Sequence, residues 1–331
     1  MAKALVTGGA GFIGSHVAEE LVAMDYTVVI LDDLSGGFRE NVPGRAEFVE
    51  GSILDQDLLA DLFKHHKFDY VFHLAAYAAE GLSHFIKRFN YTNNLVGSVN
   101  LINLSVLHGV KCFIFTSSIA VYGKNQVPMS EEVVPRPEDS YGIAKLAVED
   151  ELRISHEMFG LPYIIFRPHN VYGERQNFGD KYRNVVGIFM NQIMQGLPMT
   201  IFGDGRQTRA FSHIADIVPA IANSIRVLEA YNEIFNIGSD KPCSINQLAS
   251  AVAEAFEVEC EIYYLDPRNE VLEAYSDHSK AERILKVSSA IPLEEGLRRF
   301  AVWAREQGPR ESKDFTDTDI EIPINLPPSW R

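Results

Sequence analysis

Ala2-Lys3-Ala4-Leu5-Val6-Thr7-Gly8-Gly9-Ala10-Gly11-Phe12-Ile13-Gly14 runs directly into the stretch Ser15 to Met24. Ala2 to Thr7 reads as a short apolar strand, and Ser15 to Met24 as an amphipathic helix. Only a glycine turn separates them. Such a turn lets backbone approach a ligand closely, and the free N–H groups and dipole of the helix start favour negative charge. Strand, glycine turn and helix in this order hold a dinucleotide pyrophosphate. The glycines are spaced G-x-x-G-x-x-G (Gly8, Gly11, Gly14), one residue wider than the commoner G-x-G-x-x-G. A tight turn without a ligand would use glycines too, so the flanking elements carry the reading.

The whole chain has 331 residues, enough for one large or two medium domains with a full core. Its formal net charge is −15 and it has no basic run. That argues against nucleic acid or an anionic membrane as a main partner. Cys112, Cys243 and Cys260 lie far apart without metal-like spacing, which predicts no metal site and a reducing, cytoplasmic setting. Neither a signal peptide nor a membrane span is expected.

The Tyr26–Leu31 stretch is the second expected strand and ends at Asp32-Asp33-Leu34-Ser35-Gly36. An acid at this place accepts hydrogen bonds from an adenosine ribose and repels a 2′-phosphate, favouring NAD over NADP. A turn-forming Asp is the plainer alternative. Further strands are predicted at Ala46–Glu50, Asp69–His73, Lys111–Thr116 and Leu161–Arg167. Asp55 caps a helix to His66, one long helical stretch covers Ser83–His108, and Ser140 caps a helix to Phe159. Alternating strands and helices imply an α/β fold with a doubly wound parallel (Rossmann) sheet. After Pro168 the pattern loosens into helices at Val185–Gln195, His213–Leu228, Ile245–Phe256 and Leu293–Glu306. Short strands are expected near Met199–Phe202, Ile234–Asn236 and Glu261–Tyr264. The expected division is 1–167 for the nucleotide and 168–331 for a smaller α/β substrate domain, with interleaving possible. Glu311 to Arg331 reads as an extended tail.

Tyr141 and Lys145 stand four residues apart on one helix and so share a face. An ammonium beside a phenol favours the phenolate, and a positive nicotinamide ring would add to this; the pKa can then fall from about 10 toward neutral, giving a general base for an alcohol. Ser118 follows a parallel strand, where such sheets place ligands, and can hold the same substrate oxygen.

These motifs, with His73-Leu74-Ala75-Ala76, Ser117-Ser118-Ile119-Ala120-Val121-Tyr122-Gly123 and Arg167-Pro168-His169-Asn170-Val171-Tyr172-Gly173, resemble the extended short-chain dehydrogenase/reductases. Within these the chain is most similar to nucleotide-sugar epimerases of the UDP-glucose 4-epimerase type. The resemblance implies an NAD-dependent enzyme that inverts a nucleotide-diphosphate sugar at C4 through a keto sugar. Ser118, Tyr141 and Lys145 would be catalytic. Gly8, Gly11, Phe12, Ile13, Gly14, Asp32, Asp33, Leu34, Ser35, Gly36, Ser52, Ile53, Leu74, Ala75, Ala76, Tyr77, Asn94, Tyr141, Lys145 and His169 would contact NAD. Ser118, Tyr141, Asn170, Arg209 and Arg268 would hold the substrate. Ala274 would close the pocket around the C2 substituent, its small size admitting an N-acetyl group. Helices Asn93–His108 and Tyr141–Phe159 would form a homodimer interface.

Departures from the pattern qualify the sugar. Ala210 stands where an Asp is common, and Arg268-Asn269-Glu270 is contracted. Ala78 replaces a lysine, with Glu80 nearby. Ile119-Ala120 supplies neither the acidic pair of the dehydratases nor the thiol of the 3,5-epimerases. Two alternatives remain at this level: an oxidoreductase or dehydratase of the same family, and a non-catalytic dinucleotide sensor.

Overall fold

The computed structural model describes residues 1–268, 270–287, 291–311, 315 and 319–330. Six strands alternate with helices: β1 (Lys3–Thr7), β2 (Thr27–Asp32), β3 (Glu47–Glu50), β4 (Tyr70–His73), β5 (Cys112–Thr116) and β6 (Tyr163–Pro168). With the later strand Glu233–Ile237 they make one seven-stranded sheet, ordered β3-β2-β1-β4-β5-β6 and then Glu233–Ile237. Every neighbouring pair in it is parallel.

Both faces of this sheet are buried, which explains its almost continuous apolar strands. Alternate residues feed two cores. Ala4, Val6, Ile30, Phe72 and Ile114 pack on one face with Val17 and Leu21 of helix α1 (Phe12–Ala23) and Ile217 and Ile221 of the helix Ile214–Asn223. Leu5, Val29, Val71, Phe113 and Phe115 pack on the other. They meet Phe63 of α2 (Gln56–His66), Leu101 of α5 (Gly97–Leu107) and Leu152 of α6 (Ser140–Phe159). Each large side chain so buried stabilises the fold by roughly 1.5–3 kcal/mol. The chain runs outward from β1 to β3, then returns to place β4 on the other side of β1. The crevice beyond the ends of β1 and β4 is therefore the switch point of the sheet, where ligands bind in such folds.

A third core joins Phe189, Leu248, Val252, Leu297 and Phe300 from three C-terminal helices. The tail does pack: Leu326 and Trp330 are buried against Leu82, Ile86 and Tyr182.

Several expectations shift. α1 begins at Phe12, three residues earlier than the periodicity suggested, so the turn and the helix start overlap. The single helix expected over Ser83–His108 is divided. Short helices α3 (Glu80–Ser83) and α4 (Lys87–Tyr91) precede a wide turn at Thr92–Val96, and α5 follows. Asp139, not Ser140, caps α6, its carboxylate accepting from the Gly142 N–H at 2.7 Å. Ile214–Asn223 and Glu233–Ile237 fall within 168–331 but pack with the large sheet. Their apolar faces complete its exposed edge and face, so the two parts of the chain interleave.

Candidate functional site

The glycine turn is built for close approach. Gly8 has φ +71°, and a Cβ there would lie 2.7 Å from Ala75 Cα. A Cβ on Gly14 would lie 2.1 Å from the Gly8 carbonyl oxygen. Backbone therefore fills the space that side chains would otherwise claim, and the start of α1 is left open to a ligand. The Asp32 carboxylate accepts from the N–H groups of Ala10 (3.0 Å) and Leu34 (2.8 Å). It thus braces the turn against the end of β2 while facing the cavity. Burial raises its pKa, and the two backbone donors oppose that rise. Behind the turn, the Thr7 hydroxyl meets His73 Nδ1 at 2.7 Å, and His73 Nε2 meets the Ser98 hydroxyl at 2.8 Å. Burial first, and then Lys145, push His73 down to about 3, so it stays neutral.

A cavity of about 810 Å³ opens over these groups. Its wall contains the expected Gly8, Gly11, Phe12, Ile13, Gly14, the run Asp32 to Gly36, Ile53, the run Leu74 to Tyr77, Ser118, Tyr141, Lys145 and Asn170. The glycine cradle, the buried acid after β2 and the size of the cavity fit a dinucleotide with room for a second ligand.

Six expected contacts are not in that wall. Ser52 is a turn residue, its hydroxyl accepting from the Leu54 N–H at 3.2 Å, while its neighbours Gly51 and Ile53 line the cavity. Asn94 is buried with its amide clamping the Tyr77 backbone, accepting from its N–H at 2.9 Å and donating to its carbonyl at 3.0 Å. Its role is to position Tyr77. His169 turns away into the protein, between the Ala210 carbonyl and His278, each 3.0 Å distant. Burial, then His278, push it down to about 3. Its neighbour Pro168 lines the cavity instead. Arg209 and Arg268 line a second, smaller cavity of about 80 Å³, together with Glu270. Ala274 lies in neither wall. It packs on the cluster of Ile119, Val121, Tyr122 and Met129.

Tyr141, Lys145 and Ser118 converge. α6 presents the first two on one face, and the turn after β5 presents Ser118. Lys145 Nζ donates to the Thr116 carbonyl at 2.8 Å and lies 5.7 Å from the Tyr141 ring centroid. The Ser118 hydroxyl accepts from the Ala120 N–H at 3.1 Å. The turn is held from behind by a buried ion pair between Arg167 and Glu149. Ser117 donates to Glu149 at 2.5 Å, and Arg167 donates to the Tyr122 hydroxyl at 2.8 Å. Charged groups this deeply buried are tolerated because each is hydrogen-bonded on several sides.

The electrostatics of the protein's own groups act against the phenolate. Burial, and then the Glu80 carboxylate, push the Tyr141 phenol up, while the Ser118 hydrogen bond and Arg183 pull it down. Burial also pushes Lys145 down to about 7, against the pull of Glu149. The protein's own groups hold the phenol above its ordinary value, because desolvation and Glu80 outweigh the lowering by Ser118 and Arg183.

Local motifs also missed residues in the wall. Arg183 lies over the Tyr77 ring at 5.0 Å and pairs with Asp180 at 2.7 Å. Arg310 lies 4.0 Å over the Phe38 ring. Both arrive from segments without a recognisable spacing. Glu80 lines both cavities, and its position in the sequence, near the replaced lysine, was the one available hint.

Residues 4–238 match the NAD dependent epimerase/dehydratase family. A putative UDP-glucose 4-epimerase of Methanocaldococcus jannaschii is 35% identical, over 91% of this chain and 98% of that protein. The crystal structure of a Thermotoga maritima UDP-glucose 4-epimerase with UDP-glucose superposes with a TM-score of 0.88 at 37% identity, covering 92% of this chain and 99% of that one. A Bacillus cereus UDP-glucuronic acid 4-epimerase, in complex with UDP-glucuronic acid and NAD, superposes with a TM-score of 0.85 at 30% identity, again covering 92% and 99%. With the parallel sheet, the glycine cradle and the buried acid after β2, these likenesses establish that the chain belongs to the NAD-dependent epimerase/dehydratase family and that its dinucleotide is NAD.

Proposed function

We propose that the protein is a nucleotide-sugar 4-epimerase acting on a UDP-hexose. The observation that carries this reading is the pairing of two chambers. One places Tyr141, Lys145 and Ser118 at the wall of the cofactor cavity, and the adjoining one holds Arg209 and Arg268. A diphosphate suits the two arginines, whose planar forks bind phosphate oxygens in pairs. The sugar then reaches toward Tyr141. NAD, when bound, supplies the hydride acceptor and donor that let the two C4 configurations exchange, and its charge favours a phenolate nearby. Tyr141 takes the proton of the 4-hydroxyl and later returns it. Ser118 holds the same oxygen, and Lys145 orients the pair from the Thr116 carbonyl.

A dehydratase needs an added acid and base after Ser118, and Ile119 and Ala120 provide neither. Three cysteines without a disulfide suit a cytoplasmic setting. No helix among the described residues is long and apolar enough to cross a membrane. A homodimer is part of the same reading. Ile143, Ile154, Met158 and Phe159 on α6 are exposed, as are Val96 and Leu107 beside α5, and together they would make an apolar two-helix face. A monomeric mass by light scattering at micromolar concentration would remove that part.

The test is incubation of the pure protein with UDP-glucose, UDP-galactose and their N-acetylated counterparts, with products separated by chromatography. Interconversion without accumulation of NADH is expected. Stoichiometric NADH would instead make it an oxidoreductase.

A further inference from the structure

Glu80 is the single residue, among those described, that lines both cavities: it shares one wall with Tyr141 and the other with Arg209 and Arg268. Its place is fixed by short links. The Ser83 hydroxyl donates to the Glu80 carbonyl at 2.6 Å and accepts from the Tyr141 N–H at 3.2 Å. One hydroxyl therefore ties the backbone of Glu80 to that of Tyr141. The next residue, Gly81, lies so close to Trp330 that a Cβ would stand 2.8 Å from its ring. The tail thus pins this turn from outside. The Glu80 side chain is exposed to the cavities, and no described residue donates a hydrogen bond to its carboxyl or pairs with it at ion-pair distance. Arg209 and Arg268 each pair with Glu270 instead, at 3.5 and 3.4 Å. Desolvation and Asp139 raise the Glu80 pKa to about 7, while the two arginines oppose that rise.

We infer that Glu80 is a specificity-determining residue that admits uncharged hexoses and rejects hexuronic acids at the passage between the two chambers. The inference rests on the epimerase reading, because a substrate held by its diphosphate at one end and its C4 at the other must lay its sugar ring across that passage. A C6 carboxylate would then share a confined space with the Glu80 carboxylate. Arg183 lines the same chamber but is already paired with Asp180 at 2.7 Å. Two like charges in a partly desolvated site disfavour binding only while Glu80 is ionised, so proton uptake limits the penalty to about twofold at pH 7 and roughly 10- to 30-fold at pH 8.5. A hydroxymethyl group carries no such penalty and can donate a hydrogen bond to the same carboxylate. This is discrimination by a repulsive element, not by added attraction to the accepted sugar.

The experiment compares UDP-glucose with UDP-glucuronic acid on NAD-loaded wild type, Glu80→Gln and Glu80→Ala, reading kcat/KM for each and Kd by calorimetry. Wild type should favour UDP-glucose. At pH 8.5, where Glu80 is ionised, both variants should raise the uronate-to-glucose ratio of Kd-derived affinities and of kcat/KM, by about 10- to 30-fold. Retained NAD and an unchanged melting temperature identify whichever variant is folded. A ratio unchanged within about twofold in a folded variant overturns the inference, as does a wild type that binds both sugars equally. If wild type binds UDP-glucose but turns over no nucleotide sugar, the epimerase reading fails, while the affinity ratio still decides on Glu80.

Discussion

The cofactor side and the proposed substrate side of the cleft are made in different ways. The cofactor side is mostly backbone: Gly8 packs against both Ala75 and Gly14, and Asp32 braces that turn with two main-chain hydrogen bonds. The substrate side is mostly side chains brought from distant segments. Arg209 donates to the carbonyls of Thr208 (2.8 Å) and Val271 (2.5 Å) and faces Glu270, while Arg268 packs on Phe202 and Trp330. A backbone site demands particular residues at fixed spacing along one stretch. A side-chain site demands only that the fold deliver a few charges to one place, and many sequences do that. The first is therefore bound to the family, and the second is free to set the sugar.

The largest expected effect falls between the two sides. Tyr141→Phe removes the hydroxyl that exchanges the C4 proton, and turnover should drop by about 10²–10⁴. NAD content should stay at the wild-type level, because the glycine cradle is untouched. Near-normal kcat would refute the assignment of Tyr141. Next comes the substrate side alone. Arg209→Lys keeps the charge but loses the planar fork, so KM should rise about tenfold with kcat and NAD affinity nearly unchanged. A parallel loss of NAD affinity would show that the two sides are not independent. On the cofactor side, Asp32→Ala should lower the preference for NAD over NADP by several-fold, since an acceptor and a repelling charge go together. Equal cofactor ratios before and after would leave Asp32 as a brace of the turn only.

The same contrast explains what was legible in the sequence. The parallel sheet could be read because β1, β2, β4 and β5 are buried on both faces and so nearly uniformly apolar. The nucleotide turn could be read because Gly8 and Gly14 admit no side chain. Tyr141 and Lys145 were visible through helical spacing. His169 and Asn94 were misplaced for one reason: a motif gives a residue's position but not which way its side chain turns. Buried hydrogen bonds to Ala210 and Tyr77 turn both inward. Arg183 and Arg310 had no local signal, and Glu80 had only its place near the replaced lysine. The strand Glu233–Ile237 looked like part of the second unit because nothing in its own sequence says which sheet edge it will extend.

The smallest expected effect concerns stability, and it tests whether Lys145 is as desolvated as its surroundings imply. It is 2% exposed, and burial holds its pKa near 7, below the value of about 10.4 expected in the unfolded chain. Between those two values the unfolded state binds a proton that the native state does not. Lys145 therefore contributes stability that increases as pH rises through this window. The buried Cys112 thiol, pushed up by burial, acts in the opposite sense over part of the same window, as does Cys243, raised to about 11. The wild-type curve alone is thus ambiguous. Lys145→Met leaves both thiols in place, so the difference between the two curves isolates the lysine. Urea unfolding of NAD-free protein should show wild type gaining on the variant by about 1 kcal/mol per pH unit between pH 8 and 10. Parallel curves would mean that Lys145 keeps its proton in the folded protein, and that Glu149 and the Thr116 carbonyl compensate for its burial.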